Sequence, residues 1–365
     1  MQALKSACHQ QARNISARQH RHQGQRTIRC MAAASVLMPC RITGVGSAAP
    51  ATVLTNTDLQ RFVDTNNEWI ESRTGIQRRH VLGAGESLGQ LACQASAAAL
   101  EMSGVQASDL DLILFATSSP DDLFGGACQV QAALGATRAC AFDLTAACSG
   151  FVLGLVTASQ YIRTGAARNV LLIGGDALSR FVDWNDRSTC ILFGDGCGAV
   201  VLSAGPPGSP CALLGSAMHS AGAGQKSLNA MFSQDGNKAE GYPSQLGAFS
   251  NISMQGQDVF KFAVRSVPTV IEEALAAAGL QKEDINWLVM HQANKRILDS
   301  VAERLGLPPD RVVSNLAEYG NTSAGSIPLA LDEAVRDKRI KQGDVVAMAG
   351  FGAGLTWAAS IVRWG

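Results

Sequence analysis

The chain has 365 residues, 47% of them hydrophobic and 16% charged, with 30 basic and 30 acidic side chains. That is a globular composition, long enough for one large or two smaller domains. No apolar run approaches the roughly 18 residues that a membrane span requires.

The zero formal charge conceals an asymmetry. Lys5, Arg13, Arg18, Arg21, Arg26 and Arg29 stand before residue 41, and no acid precedes Asp58. A basic, acid-free N-terminus with Ser and Gln but no apolar secretory core reads as an organelle transit peptide over residues 1–40. A basic arm for nucleic acid is the alternative. The folded part is expected to begin near Arg41-Ile42-Thr43-Gly44-Val45. Ten cysteines are scattered without a CxxC pair, which points to free thiols and no metal site.

The first predicted helix is the alanine-rich stretch 88–103. An apolar strand follows around Leu112–Phe115. Ala141-Phe142-Asp143-Leu144 reads as a second extended run, and Thr145, Ala146 and Ala147 lead to Cys148. Phe151, Val152, Leu155, Val156, Ser159 and Ile162 then recur at helical spacing. Cys148 therefore falls at a strand-to-helix turn, where free N–H groups and the helix dipole favour an anion. A thiol there is expected to have a lowered pKa and to act as a nucleophile. A small buried cysteine among alanines fits the same local pattern.

Much of the first half recurs 175 residues later. Gly104-Val105-Gln106 and Asp109 to Phe115 face Gly279-Leu280-Gln281 and Asp284 to Met290, each after a helix, 88–103 or 261–278. Cys148-Ser149-Gly150 faces Ser323-Ala324-Gly325, and Asn169 to Gly174 faces Asp344 to Ala349. Phe193-Gly194-Asp195-Gly196 resembles Phe351-Gly352-Ala353-Gly354 at an offset of 158, so the first half holds about 17 extra residues around 176–192. Two halves, 42–206 and 211–365, joined by the Pro- and Gly-rich run 205–210, are expected to form buried α/β sheets. Cys148 would then oppose the Asn321-Thr322-Ser323 turn across a pseudo-twofold axis.

Three histidines lie beyond the N-terminal segment: His80, His219 and His291. His291 directly follows the strand Trp287–Met290, where α/β folds place functional groups. Asn321 sits in a glycine-bracketed turn, as a catalytic amide or as an N-cap. Phe351-Gly352-Ala353-Gly354 is a turn through which backbone N–H groups can approach a substrate; it lacks the GK[ST] of a phosphate loop. Cys, His and Asn in this order also describe papain-like proteases. Their CGSCW-type signature is absent, and the duplicated pattern argues against them.

Together the motifs resemble the β-ketoacyl-[acyl carrier protein] synthase III family of the thiolase superfamily, in its plastid and bacterial forms. The matching stretches are Asn67-Glu68-Trp69-Ile70, Arg73-Thr74-Gly75-Ile76, Asp143 to Phe151, Phe193 to Gly196, His291-Gln292-Ala293-Asn294, Gly320-Asn321-Thr322-Ser323 and Gly350-Phe351-Gly352. The resemblance covers about 42–365. It implies a thiolase-like α/β fold, five-layered α-β-α-β-α, in a homodimer located in the plastid stroma. It implies that Cys148 is acylated by acetyl-CoA. Malonyl-[acyl carrier protein] then decarboxylates and condenses to acetoacetyl-[acyl carrier protein]. His291 Nε2 and Asn321 Nδ2 would donate to the enolate oxygen.

By the same resemblance, Trp69 and Arg187 would sandwich the CoA adenine and Arg73 would meet a phosphate. Asn294 and Phe351 would line the pantetheine tunnel, with Phe351 as its gate. Cys148 N–H and a donor within Gly352–Gly354 would form the oxyanion site. Gln292, Ala293, Asn294, Lys295 and Arg296 would dock the acyl carrier protein. Leu123 or Phe124 would reach the partner subunit's acyl pocket, the sequence leaving open which. No cofactor, metal, nucleic acid or membrane is implied.

Chalcone-synthase-like polyketide synthases and 3-hydroxy-3-methylglutaryl-CoA synthases share Cys and His on this fold. The latter need a glutamate base for which no matching position is evident. A non-catalytic partner subunit would lack the cysteine.

Overall fold

The computed structural model describes residues 37–207, 209–234 and 247–365. The expected transit peptide lies outside the described residues except for Leu37 to Cys40, which belong to the folded body. Met38 N–H donates to Arg163 O at 2.9 Å, Ala212 N–H donates to Cys40 O at 2.8 Å, and Cys40 is buried. The fold therefore starts a few residues before the expected Arg41, because Met38, Pro39 and Cys40 already carry hydrogen bonds. Gly208 of the expected linker lies outside the described residues.

The elements that position the site are, in chain order, β1 Cys40–Ala48, α1 Asn67–Thr74, α2 Leu88–Ser103, β2 Leu112–Ala116, β3 Cys140–Leu144, α3 Gly150–Arg163, β4 Asn169–Ala177, β5 Asp195–Ala204, β6 Leu213–Ser220, α4 Gly256–Ala278, β7 Trp287–Met290, α5 Lys295–Leu305, α6 Ser326–Arg336, β8 Val345–Gly352 and β9 Thr356–Arg363. Helix α4 begins five residues before the predicted 261. Strand β4 runs through Ala177 into the segment read as extra, because Gly175, Asp176 and Ala177 stay paired with Cys197, Gly196 and Asp195.

One sheet has the order β1-β5-β4-β2-β3 and the other β7-β8-β9-β6. Strands β2 and β4 are parallel, as are β7 and β8. The pairs β4–β5 and β1–β5 are antiparallel, matched by β8–β9 and β6–β9. Strand β3 runs parallel to β2, and its counterpart beside β7 is reduced to one parallel bridge, Leu288 to Val312. The repeat read in the sequence is thus a repeat of strand order and polarity.

Helix α2 covers the outer face of the first sheet, and α4 with α5 covers that of the second. Helices α3 and α6 lie between the sheets, completing five layers. Leu172, Val200, Val346 and Met348 meet there, fully buried. Each such side chain contributes roughly 1.5–3 kcal/mol by leaving water. The helices sandwiched between the sheets bring Cys148 and Ser323, which precede them, to the middle of the molecule.

Candidate active site

Cys148 lies in a single 3-10 turn, Ala147–Ser149, between β3 and α3. Only 5% of it is exposed. Its neighbour across the molecule is Ser323, whose Oγ–H donates to Cys148 Sγ at 3.3 Å. Gly352 presses against the same residue: a Cβ there would stand 3.2 Å from Sγ and 3.0 Å from Cys148 N. Glycine is needed so that the strand can pass this close to the sulfur.

Burial pushes the Cys148 thiol up to about 12, the Asp176 carboxylate adding to it and the Ser323 hydroxyl opposing it. The lowered thiol expected from the helix N-terminus is therefore corrected. Desolvation of the sulfur outweighs what the turn's N–H groups offer.

His291 ends β7, and its N–H donates to Ala349 O at 2.8 Å. The ring is 2% exposed and packs edge-on against Phe351, with centroids 5.1 Å apart. Burial pushes its pKa down to about 3, so the resting imidazole is neutral. Its Nδ1 lies 2.7 Å from Ser326 Oγ, and Ser326 Oγ–H donates to Ser323 O at 2.7 Å. A hydroxyl has one hydrogen and a carbonyl can only accept. Both contacts are satisfied only when Nδ1 carries the imidazole proton. Nε2 then holds a lone pair. The sequence-based expectation of Nε2 as a ready donor is corrected: in the resting state it is an acceptor, and it donates only after taking a proton.

Asn321 is hooked onto the first half. Its N–H donates to Leu192 O at 2.9 Å, and Gly194 N–H donates to its O at 3.0 Å. Gly320, at φ +64°, permits this approach, since a Cβ there would stand 2.8 Å from Leu192 O. Ser323 N–H donates to Asn321 Oδ1 at 2.9 Å, which orients the amide and leaves Nδ2 as a donor.

These residues face one cavity of about 950 Å³, lined also by Phe351, Gly352 and Ala353, with Trp69, Arg73 and Arg296. Phe351 is buried against His291 and lines the cavity. Gly354 does not line it; a Cβ there would meet Thr356 in the β8–β9 turn. Of the expected oxyanion region, Gly352 adjoins the sulfur and Gly354 does not.

Trp69 carries the Arg73 guanidinium 4.7 Å and the Arg187 guanidinium 4.6 Å from its ring centroid. Arg187 also donates to Asp64 O at 2.8 Å. Trp69 and Arg187 thus touch one another instead of flanking an open slot, and a base can enter between them only when Arg187 moves.

The expected docking stretch divides. Gln292 is 0% exposed, and its Nε2 donates to Met290 O at 2.7 Å and Val313 O at 3.2 Å. It is corrected from a surface contact to an internal tie, because its amide satisfies strand-end carbonyls. Asn294 caps α5 by accepting from Arg296 N–H at 2.9 Å and reaches Arg73 O with Nδ2 at 3.2 Å. Ala293 lines the cavity, and Lys295 Nζ pairs with Asp299 at 2.8 Å. Arg296 lies 5.7 Å over the Phe260 ring. Leu123 lines its own chain's cavity, whereas Phe124 is 95% exposed.

Sequence reasoning missed Ser326 and Asp176 and gave Ser323 no role. Asp176, fully buried, accepts from Thr117 and Ser119 hydroxyls, Ser118 N–H and Ala324 N–H, tying the two halves beneath the site. The repeat offset that sets Ser323 opposite Cys148 was the one available signal.

The family model described as 3-oxoacyl-[acyl-carrier-protein] synthase III matches residues 142–222, and its C-terminal counterpart matches 275–364. A β-ketoacyl-[acyl-carrier-protein] synthase III of Microcystis aeruginosa is 58% identical over 325 residues, covering 89% of this chain and 97% of its own. The chloroplastic one of Arabidopsis thaliana is 53% identical over 335 residues, covering 89% and 83%. The crystal structure of the Aquifex aeolicus 3-oxoacyl-[acyl-carrier-protein] synthase III superposes with a TM-score of 0.82 at 42% identity, over 89% of this chain and all of that one.

Proposed function

This chain belongs to the β-ketoacyl-[acyl-carrier-protein] synthase III family, the initiating condensing enzymes of type II fatty acid synthesis, and from that premise we propose how its residues share the reaction. Cys148 is the nucleophile. His291 Nε2 takes the thiol proton as Sγ attacks the acetyl-CoA carbonyl, and CoA leaves as the thiolate. Malonyl-[acyl carrier protein] then loses CO2. Its enolate oxygen accepts from Asn321 Nδ2 and from His291, whose Nε2 keeps the proton because the bound malonyl carboxylate, and then the enolate, offset the desolvation that holds the resting imidazole neutral. The enolate carbon attacks the acetyl carbonyl, Cys148 departs as thiolate, and His291 returns the proton. The thioesters supply the activated acyl groups, so the scheme needs no cofactor.

The observation that carries this reading is the meeting of Cys148 from one half with His291 and Asn321 from the other around one cavity, Cys148 and Ser323 in direct contact. The acyl carrier protein docks where Arg296, Asn294 and Ala293 line the cavity and Lys295 stands next to them in sequence, opposite charges guiding the approach. Trp69, Arg73 and Arg187 hold the CoA nucleotide. Two subunits pair through the edge strand β3, whose Phe142 is exposed, and Phe124 reaches across. The basic segment and the chloroplastic relative support a plastid stromal address.

The test is incubation with acetyl-CoA followed by mass spectrometry. One acetyl group on Cys148 is expected, with CO2 released on adding malonyl-[acyl carrier protein]. Acetyl on another residue would sink the assignment.

A further inference from the structure

Ser323 is the residue that the repeat sets opposite Cys148, and it contacts Cys148 and Asn321 directly and His291 through Ser326. Its Oγ–H donates to Cys148 Sγ at 3.3 Å. Its N–H holds Asn321 Oδ1 at 2.9 Å. Its carbonyl accepts the Ser326 hydroxyl at 2.7 Å, and Ser326 in turn takes Nδ1–H of His291 at 2.7 Å. The side chain is buried, and the residue sits at φ +51°, in the left-handed region where a Cβ is unfavourable. Glycine would suit that backbone better, so the side chain needs an explanation of its own.

We propose that the Ser323 hydroxyl is a fourth catalytic group, a donor that stabilises Cys148 as thiolate both when it attacks acetyl-CoA and when it is expelled in condensation. The proposal rests on Cys148 being the acylated residue. A thiol sulfur is a weak acceptor, whereas a thiolate takes a charge-assisted hydrogen bond, roughly twice as strong as a neutral one. The contact therefore strengthens as the Cys148 S–H bond breaks and its proton passes to His291 Nε2. It weakens again when sulfur bonds to the acetyl carbon. Binding that is stronger in the charged state than in either resting state lowers the barrier in both directions. The hydroxyl is also the one nearby group that opposes the effect of burial on the thiol from the second half. The backbone N–H and C=O of Ser323 serve Asn321 and His291 independently of its side chain.

That separation makes the test selective. Ser323→Ala and Ser323→Gly both remove the hydroxyl, and glycine also suits the positive φ. In both variants, acetyl transfer to Cys148 is expected to fall about 10–100-fold, the effect of losing one hydrogen bond to a charged group. The rate of Cys148 alkylation by iodoacetamide at pH 8 is expected to fall about 10–100-fold, as the thiolate fraction falls. With enzyme acetylated at Cys148 beforehand, decarboxylation of malonyl-[acyl carrier protein] should fall far less than acetyl transfer does, and a circular dichroism spectrum like the parent's reports an intact fold. Unchanged alkylation and acetyl transfer in both variants would overturn the proposal. So would an equal loss of acetyl transfer and decarboxylation in both, since that reports a collapsed turn. If the unsubstituted chain takes acetyl elsewhere than Cys148, the nucleophile assignment fails first and separately.

Discussion

His291 Nδ1 donates to Ser326 Oγ across 2.7 Å, because Ser326 has already committed its hydrogen to Ser323 O. This fixes the tautomer, and with it the order in which the imidazole acts: acceptor first, donor afterwards. Ser326→Ala removes the partner of Nδ1–H. Acetyl transfer is expected to slow by about tenfold, the worth of one ordinary buried hydrogen bond. Ser326→Thr, which keeps the hydroxyl, should restore most of it. ¹⁵N spectra of labelled His291 are the decisive check. A single Nδ1–H tautomer is expected in the parent and a mixture in Ser326→Ala; the same tautomer in both would refute the role of Ser326.

The catalytic residues should separate into two partial reactions. Cys148→Ala abolishes acyl-enzyme formation and retains part of the malonyl decarboxylation, through Asn321 Nδ2, because no thiol proton reaches His291 Nε2. Asn321→Ala retains acetyl transfer and loses decarboxylation by roughly 10²–10³-fold, the cost of one oxyanion donor. His291→Ala loses both, because Nε2 serves as base and then as donor. The combined His291 and Asn321 change should be far from additive, since both act on one oxygen. Trapped radiolabel and released CO2 read the two steps. Normal CO2 release from Asn321→Ala would contradict the assignment.

CoA recognition carries its own signature. Trp69→Ala should raise the apparent KM for acetyl-CoA about 5–30-fold, the range for a lost cation–π or stacking contact. Arg187→Ala should raise it less, because that change also removes the guanidinium now lying 4.6 Å over Trp69, which a base must displace. Decarboxylation of malonyl-[acyl carrier protein] should be little affected in either. Equal damage to both activities would indicate misfolding.

Stability should depend on pH through His291 and Cys148. The folded chain keeps His291 neutral down to about pH 3, while the unfolded chain protonates it near pH 6.5. Between those values the unfolded state binds more protons, so stability is lost as the pH falls, at up to about 1.4 kcal/mol per pH unit. Cys148 titrates near 12 in the folded chain and about 9 in the unfolded one, and burial pushes Cys40, Cys190 and Cys197 up as well, so stability also declines as pH rises through that window. Urea midpoints should therefore plateau between about pH 6.5 and 9. His291→Ala should flatten the acid limb. An acid limb identical in parent and variant would rule His291 out as its source.

Much of this molecule could be read from one sequence because its signals are local or repeated. The offset of 175 residues found the two sheets, since equivalent strands need the same apolar runs in the same order. Strand-to-helix and strand-end positions marked Cys148 and His291, because backbone geometry exposes groups there. Gln292 was misread because its burial depends on Met290 O and Val313 O, the latter 21 residues away in sequence. The tertiary structure alone decided the electrostatics. Whether a helix N-terminus lowers the Cys148 thiol depends on how completely both halves exclude water from it, and burial prevailed. Likewise, the protonated nitrogen of His291 follows from a hydroxyl 35 residues away with a single hydrogen to give. Motifs record which groups the chemistry uses; desolvation and hydrogen-bond direction arise only when distant segments close around them.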